Sequence, residues 1–178
     1  MNDERYQLGM ATRLKAEALG VPGQRTFRLL LATDSQTACL WLEKEQMQAL
    51  AMAVDQLTAQ LRANRVPSQS RDTDVLPSDT SEFQLPAEVE FKVSRLGLGY
   101  DQDTDNLVVL AHDLEADEDG PATLSARATR AQMRHLSAEI AKIVSAGRPR
   151  CPLCGAPLTG EKHSCEGSNG HRPESLSV

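Results

Sequence analysis

The stretch EKEQMQALAMAVDQLTAQLRA, residues 43–63, decides the fold class. Its large apolar residues recur at alternating spacings of three and four, which places them on one face of an amphipathic helix. They are Met47, Leu50, Val54, Leu57 and Leu61. Burying each of these side chains would contribute roughly 1.5–3 kcal/mol before chain entropy is subtracted. The helix therefore needs a second layer to pack against.

The residues before this helix predict that second layer. VPGQRTFRLLLA, residues 21–32, opens with a Pro-Gly turn signal and continues as a run of apolar, β-branched and aromatic residues typical of a strand. After the turn TDSQ, the run TACLWL at 37–42 is its expected antiparallel partner. The sequence thus predicts a hairpin covered by the helix.

The second half of the chain repeats this order. We expect strands at 89–100 and 107–115, a further short strand at 123–128 and a helix at 129–147. The face of this second helix follows that of the first at a constant offset of 86 positions, through Met133, Leu136, Ile140 and Ile143. Both helices also begin with the spacing of a capping box, Glu43 with Gln46 and Thr129 with Gln132. An internal repeat explains this agreement, and chance agreement between two amphipathic helices is the alternative.

We therefore predict an α+β fold, in which an antiparallel sheet carries two helices on one face and is built from a duplicated strand-strand-helix unit. A small zinc-knuckle or ribbon-like tail follows. The predicted boundaries are a polar leader at 1–20, a first repeat at about 21–63, a linker at about 64–86, a second repeat at about 87–147, a zinc-binding tail at 148–172 and a disordered end at 173–178.

Composition restricts the class of partner and the compartment. A net charge of -6, a pI near 5.2 and 3% aromatic residues disfavour a surface built to bind nucleic acid. The first residues, MNDERYQLGM, are charged, and no apolar run has the length of a membrane span. We expect a cytoplasmic protein with no membrane contact, in a compartment where stable disulfides are rare.

The stretch CPLCGAPLTGEKHSC, residues 151–165, is the main candidate site. The two-residue spacing of Cys151 and Cys154 lets two thiolates face one cation, and Gly155 permits the tight turn that follows. A short hairpin through APLTGEK would bring the HSC segment back, with its histidine and cysteine on the same side of a strand. We predict a structural zinc site formed by Cys151, Cys154, His163 and Cys165. Four protein ligands leave no position for a catalytic water.

Two alternatives at this site stay open. His171 lies close enough in sequence to replace His163 as the fourth ligand. Cys151 and Cys154 could also form a redox pair or a disulfide, although a redox dithiol normally lies between a strand and a helix, and the flanks here are proline-rich. Bound zinc would contribute on the order of 10 kcal/mol to folding a tail that has few apolar residues.

Other candidate residues favour structural interpretations. DQDTDN at 101–106 has Asn106 where a calcium loop requires glycine and His112 at its twelfth position, so we interpret it as a polar turn. Cys39, in an apolar strand, is interpreted as a buried small hydrophobe, and His135 as a half-exposed helix residue. The sequence contains no phosphate loop and no nucleophile elbow. No set of residues in the sequence therefore resembles a known active site.

Several short motifs together carry a family resemblance. They are PGQRTF at 22–27, LEKEQ at 42–46, GRPRCPLCGAPL at 147–158, HSC at 163–165 and NGHR at 169–172. In these the chain resembles an uncharacterised bacterial family, domain of unknown function 3090, described as a repeat protein family. Glu166 stands where that family usually has proline, and Tyr100 where tryptophan is common. The resemblance implies no established activity, and it implies a process shared with a kinase-like and a phosphatase-like protein that are often encoded near its members.

These observations favour a non-catalytic cytosolic adaptor, a protein-interaction module with a structural zinc site. One alternative is a nucleic-acid or ribonucleoprotein-associated factor that uses the tail as a zinc ribbon. The other is an enzyme or small-ligand binder with a site between the repeats, around Gln24 and Arg25.

Overall fold

The computed structural model describes residues 5–69, 83–147, 151–156, 158 and 165. Within these residues the chain forms seven strands and two helices. They are β1 (Tyr6–Met10), β2 (Arg13–Leu19), β3 (Thr26–Ala32), β4 (Thr37–Leu42), α1 (Lys44–Ala63), β5 (Val89–Asp101), β6 (Asn106–Asp113), β7 (Leu124–Thr129) and α2 (Arg130–Ser145). The predicted α+β class, both helices and the β3–β4 hairpin are confirmed. Neither described helix carries an apolar stretch of the length that a bilayer crossing requires.

The sheet is mixed, in the order β1-β7-β6-β5-β4-β3-β2. Its antiparallel pairs are β2–β3, β3–β4, β5–β6 and β6–β7, whereas β4–β5 and β1–β7 are parallel. The prediction of an antiparallel sheet is therefore wrong for two pairings. α1 lies between β4 and β5 in the chain, and a helical crossover lets the next strand run in the same direction. β1 precedes every other strand, so no hairpin turn sets its direction relative to β7.

The first 20 residues also differ from their prediction. Residues 6–19, which we assigned to a polar leader, form β1 and β2 of the sheet, so the folded domain begins before residue 21. Each of these strands has only one fully buried residue, Leu8 in β1 and Ala16 in β2. The sequences of both strands nevertheless alternate, with apolar residues at every second position: Tyr6, Leu8 and Met10 in β1, and Leu14, Ala16 and Ala18 in β2. This period of two is the signal that could have predicted these strands.

The sheet curls until its two edges approach each other. β1 and β2 lie at opposite ends of the strand order, yet only two residues connect them. The N–H of Ala11 donates to Arg127 O of β7 at 2.7 Å, and the next N–H, of Thr12, donates to Ala32 O of β3 at 2.8 Å. Two residues span at most about 7 Å. β7 and β3 must therefore flank the same short piece of chain.

Both helices lie on one face of the sheet, as predicted. Alternate strand residues such as Leu29, Leu40 and Val109 form a single buried cluster with Met47 of α1 and Leu136 of α2. The helices contact each other directly, since Ser137 Oγ donates to Ala51 O at 3.3 Å. α2 also contacts β2 at one edge of the sheet and β7 near the other. It therefore spans the opening that the curled sheet leaves.

The two halves of the domain are connected in the same way. Each helix follows three strands that pair in sequence, β2-β3-β4 before α1 and β5-β6-β7 before α2. Gln132 of α2 donates to Ala11 O between β1 and β2, at 3.0 Å. Gln46 of α1 donates to Val93 O, at 3.1 Å, where β5 shifts register. β5 therefore occupies in one half the position that β1 and β2 together occupy in the other.

Candidate metal centre

A tight loop after α2 brings two of the candidate ligands together. The N–H of Gly155 donates to Cys151 O at 2.9 Å, and the N–H of Cys151 donates to Ala156 O at 2.8 Å. Gly155 adopts a positive φ of 71°, a conformation that residues with a β-carbon rarely take. The loop therefore turns back on its own first residue and places Cys154 beside Cys151, as the spacing predicts.

The third cysteine joins this pair. The Sγ atoms of Cys151, Cys154 and Cys165 all lie within 4.8 Å of one another. Those of Cys151 and Cys165 are 3.6 Å apart. Two sulfurs of a tetrahedral site with Zn–S bonds of about 2.3 Å are about 3.8 Å apart, whereas a disulfide bond is about 2.05 Å long. The three cysteines are thus not joined by disulfides, and their spacing suits one metal ion.

The environment of Cys151 favours the thiolate that a metal requires. Cys151 is buried, Cys165 is half-buried and Cys154 is exposed. The backbone N–H groups of Cys154 and Leu153 donate to Cys151 Sγ and lower the pKa of this thiol to about 6. Hydrogen bonds between Cys151 and the other two thiols act in the same direction. Metal binding by cysteine requires deprotonation, so the loop lowers the cost of that step near neutral pH.

The predicted fourth ligand lies outside the part of the chain that the structure describes. His163 and its alternative, His171, both lie outside the described residues. The assignment of His163 therefore stays a prediction.

The remaining cysteine is separate from this cluster and chemically different. Cys39 lies in β4 with 1% of its surface exposed, as the interpretation of a buried small hydrophobe predicted. Burial raises the pKa of its thiol to about 11, and the carboxylate of Glu90 contributes to the same shift. A thiol with this pKa stays protonated at neutral pH, which makes it a poor nucleophile and a poor metal ligand.

The structure also contains a buried polar cluster that the sequence analysis missed. Asp105, in the turn between β5 and β6, is 3% exposed and forms an ion pair with Arg130, the first residue of α2. Tyr100 Oη donates to Asp105 Oδ1 at 2.8 Å, and the N–H of Gln69 donates to Oδ2 at 2.6 Å. The polar-turn interpretation of DQDTDN is correct for the turn, but it assigned no buried partner to this aspartate. No signal in the sequence indicated its burial, because Gln69 and Arg130 are distant in the chain, although Tyr100 is only five residues away.

This cluster holds the chain that leaves α1. Arg130 donates to Val66 O at 3.2 Å and to Pro67 O at 3.1 Å. Burial by itself would raise the pKa of Asp105, but the hydrogen bonds from Gln69, Tyr100 and Arg130 and the charge of Arg130 outweigh it and hold that pKa below its usual value. The carboxylate is therefore ionised and paired at neutral pH.

With this geometry established, the family comparison can be stated. A family model described as "Protein of unknown function (DUF3090)" matches residues 6–165. The chain belongs to this family. The resemblance drawn from the short motifs is confirmed, and the matched region includes all the described strands and helices and the three clustered cysteines. Neither the search of curated proteins nor the search of solved structures gives a match.

Proposed function

We propose that this chain is a non-catalytic cytoplasmic adaptor whose C-terminal tail is folded by one structural zinc ion. The observation that supports this most strongly is the cluster of three Sγ atoms within 4.8 Å of one another. Three thiolates favour a soft or borderline cation over Mg²⁺ or Ca²⁺, which prefer oxygen ligands. Zinc is the common occupant of such sites in proteins that lack a redox cofactor, and it requires four ligands in a structural role.

His163 completes the proposed ligand set. It stands two residues before Cys165, and residues two apart on an extended segment point to the same side. A set of three sulfurs and one imidazole fills the tetrahedral shell of zinc. Such a site holds the tail in shape and offers no open position to a substrate.

The loop that carries two of the ligands is the proposed contact with a partner. Leu153 lies between Cys151 and Cys154 and is 66% exposed. A metal that fixes both neighbouring ligands would also fix this apolar side chain. A preorganised apolar group loses little conformational entropy when a partner covers it. We propose a protein partner, and the kinase-like and phosphatase-like proteins encoded near family members are the first candidates.

We also propose that the domain arose by duplication of one unit. Three observations support this: the offset of 86 positions between the helix faces, the same strand order before each helix, and the paired roles of Gln46 and Gln132. Ser137 and Ala51, which contact each other between the helices, are themselves separated by this offset. A contact between equivalent positions is what an approximate two-fold relation between the units requires.

Two measurements test the proposal. The first is the zinc content of the reduced full-length protein, where we expect one ion per chain and a loss of zinc in the Cys151→Ser, Cys154→Ser variant. A zinc content well below one per chain in the unmodified protein would overturn the metal assignment.

The second measurement is a nuclease-treated pull-down of the kinase-like and phosphatase-like proteins from the native host. It compares the unmodified chain, the double cysteine variant and Leu153→Ser, which keeps every proposed ligand. We expect stoichiometric capture that is lost in both variants, while Leu153→Ser retains its zinc. Capture that survives in both variants would remove the tail as the docking element. Capture that disappears with nuclease treatment would favour the nucleic-acid alternative.

A further inference from the structure

Three parts of the chain meet at equivalent places in the two halves of the domain. The first part is the residue just before the middle one of the three strands in that half. The second is the first residue of the helix that follows these strands. The third is the segment that follows the helix of the other half. In the second half these parts are Asp105, Arg130 and the carbonyls of Val66 and Pro67. An acid and a base therefore neutralise each other at this place.

In the first half the same three parts carry a different set of charges. Arg25 directly precedes β3, Lys44 is the first residue of α1, and Gly147 follows α2. A β-carbon placed on Gly147 would lie 3.0 Å from Arg25 Nη2 and 3.7 Å from Lys44 Nζ, so both cations border this glycine. A guanidinium thus stands where the second half has the Asp105 carboxylate, and the neighbouring group is again a cation.

No counter-charge for these two cations is found within the described part of the chain. The ion pairs there involve other residues, including the pair of Arg130 with Asp105. Two like charges that border the same residue repel each other, and an anion that contacts both would offset this repulsion.

Arg25 is held in place at this position. Its Nη1 donates to Ile143 O, near the end of α2, at 3.0 Å. Its guanidinium also lies over the ring of Phe27, 5.3 Å from the centroid. A guanidinium has five N–H donors, so donors remain for a ligand, and its planar fork matches the geometry of carboxylate and phosphate oxygens. Gly147 has no side chain, and this allows Nη2 to approach its backbone closely, since a β-carbon there would lie only 3.0 Å from Nη2.

We propose that Arg25 and Lys44 form a binding site for an anion, a carboxylate or phosphate group. Gly147, which borders the site, lies four residues before Cys151 in the sequence. The site needs no metal, so this proposal can be tested independently of the zinc assignment. The anion has two possible sources. One is a separate ligand, and the other is a glutamate of the chain's own tail, Glu161, Glu166 or Glu174.

The test uses the full-length protein and inorganic phosphate, with the backbone amide of Gly147 followed by NMR. We expect saturable shifts at Gly147, and an affinity about tenfold lower in Lys44→Gln, because a charge-assisted hydrogen bond is lost. Lys15→Gln is the matched control, since it removes the same charge from a lysine that pairs with Glu17 on β2. It should bind phosphate as the unmodified protein does. Circular dichroism checks that both variants are folded.

A second arm identifies the source of the anion. In a variant with Glu161→Gln, Glu166→Gln and Glu174→Gln, phosphate should bind as before if the ligand is a separate molecule. It should bind several-fold more tightly if a tail glutamate occupies the site. If Lys44→Gln and Lys15→Gln lose the same affinity for phosphate, the effect reflects overall charge, and the proposal is overturned. The absence of saturable shifts in both the unmodified protein and the triple variant would also overturn it.

Discussion

Replacing Arg130 with methionine should destabilise the domain by about 3 kcal/mol. The change removes one partner of an ion pair in which Asp105 is 3% exposed. Breaking a buried pair in this way costs about 3–5 kcal/mol, because the remaining charge stays buried without its counter-charge. The lower end applies here since Asp105 keeps the hydrogen bonds from Tyr100 and Gln69. Val66 and Pro67 are partly or fully exposed, so water can replace the lost donors at their carbonyls.

Urea unfolding at a fixed zinc concentration measures this effect as a shift of the midpoint at constant m. A double-mutant cycle separates the ion pair from the packing of the arginine side chain. Asp105→Asn by itself should also destabilise, because it leaves the guanidinium buried and unpaired. The double variant should be more stable than the sum of the two single effects implies, since neither charge then remains. A cost below about 1 kcal/mol for Arg130→Met, or strict additivity in the cycle, would refute this reasoning.

Three further predictions concern Asp105, the glutamines at the helix starts, and the cysteines. Because the pKa of Asp105 is lowered in the folded state, its carboxylate contributes stability above its unfolded pKa of about 3.9, and this contribution is lost as the pH falls through the lower folded pKa. Unfolding midpoints should therefore converge with those of Asp105→Asn in acid, and parallel curves would contradict this. Gln132→Ala should cost about 1–2 kcal/mol in urea unfolding, because it loses a capping bond and the bond to the β1–β2 link, and Gln46→Ala should cost a similar amount. If only one of the two substitutions lowers the free energy of unfolding, the two glutamines do not have equivalent roles. In the folded, metal-free protein, alkylation followed by mass spectrometry should label Cys154 quickly and Cys39 only after denaturation, since the first is exposed and burial raises the pKa of the second to about 11. Fast labelling of both would contradict the burial of Cys39.

Much of the local structure could be predicted because it depends on neighbours in the sequence. The spacing of Met47, Leu50 and Val54 defines a helix face whatever that face packs against. The turn before β4 likewise follows from a few adjacent polar residues. β1 and β2 were missed although Leu14, Ala16 and Ala18 alternate with charged residues in β2, because both strands are short and each buries only one residue fully. Their pairing with β7 and β3 depends on contacts distant in the chain.

The candidate metal centre shows the same division. The spacing of Cys151, Cys154 and Gly155 predicts a loop that could hold a cation, because all three act over a single turn. The approach of Cys165 to 3.6 Å from Cys151 was expected from a hairpin but depends on the path of the intervening chain. The ion pair of Arg130 with Asp105 could not be predicted in this way. Each residue has an ordinary sequence context, and the pair forms only because the fold brings the two side chains together.

The sequence by itself determined the helix periods, the hairpin signals and the cysteine spacing, because each is a property of residues that lie within a few turns of one another. Only the tertiary structure decided the parallel pairings, the curl that brings β7 and β3 to opposite sides of Ala11 and Thr12, and the partners of Asp105 and Arg25. These features join residues far apart in the chain. These features are stabilised by hydrogen bonds, burial and charge pairing that exist only once the sheet has curled and the helices have packed on its face.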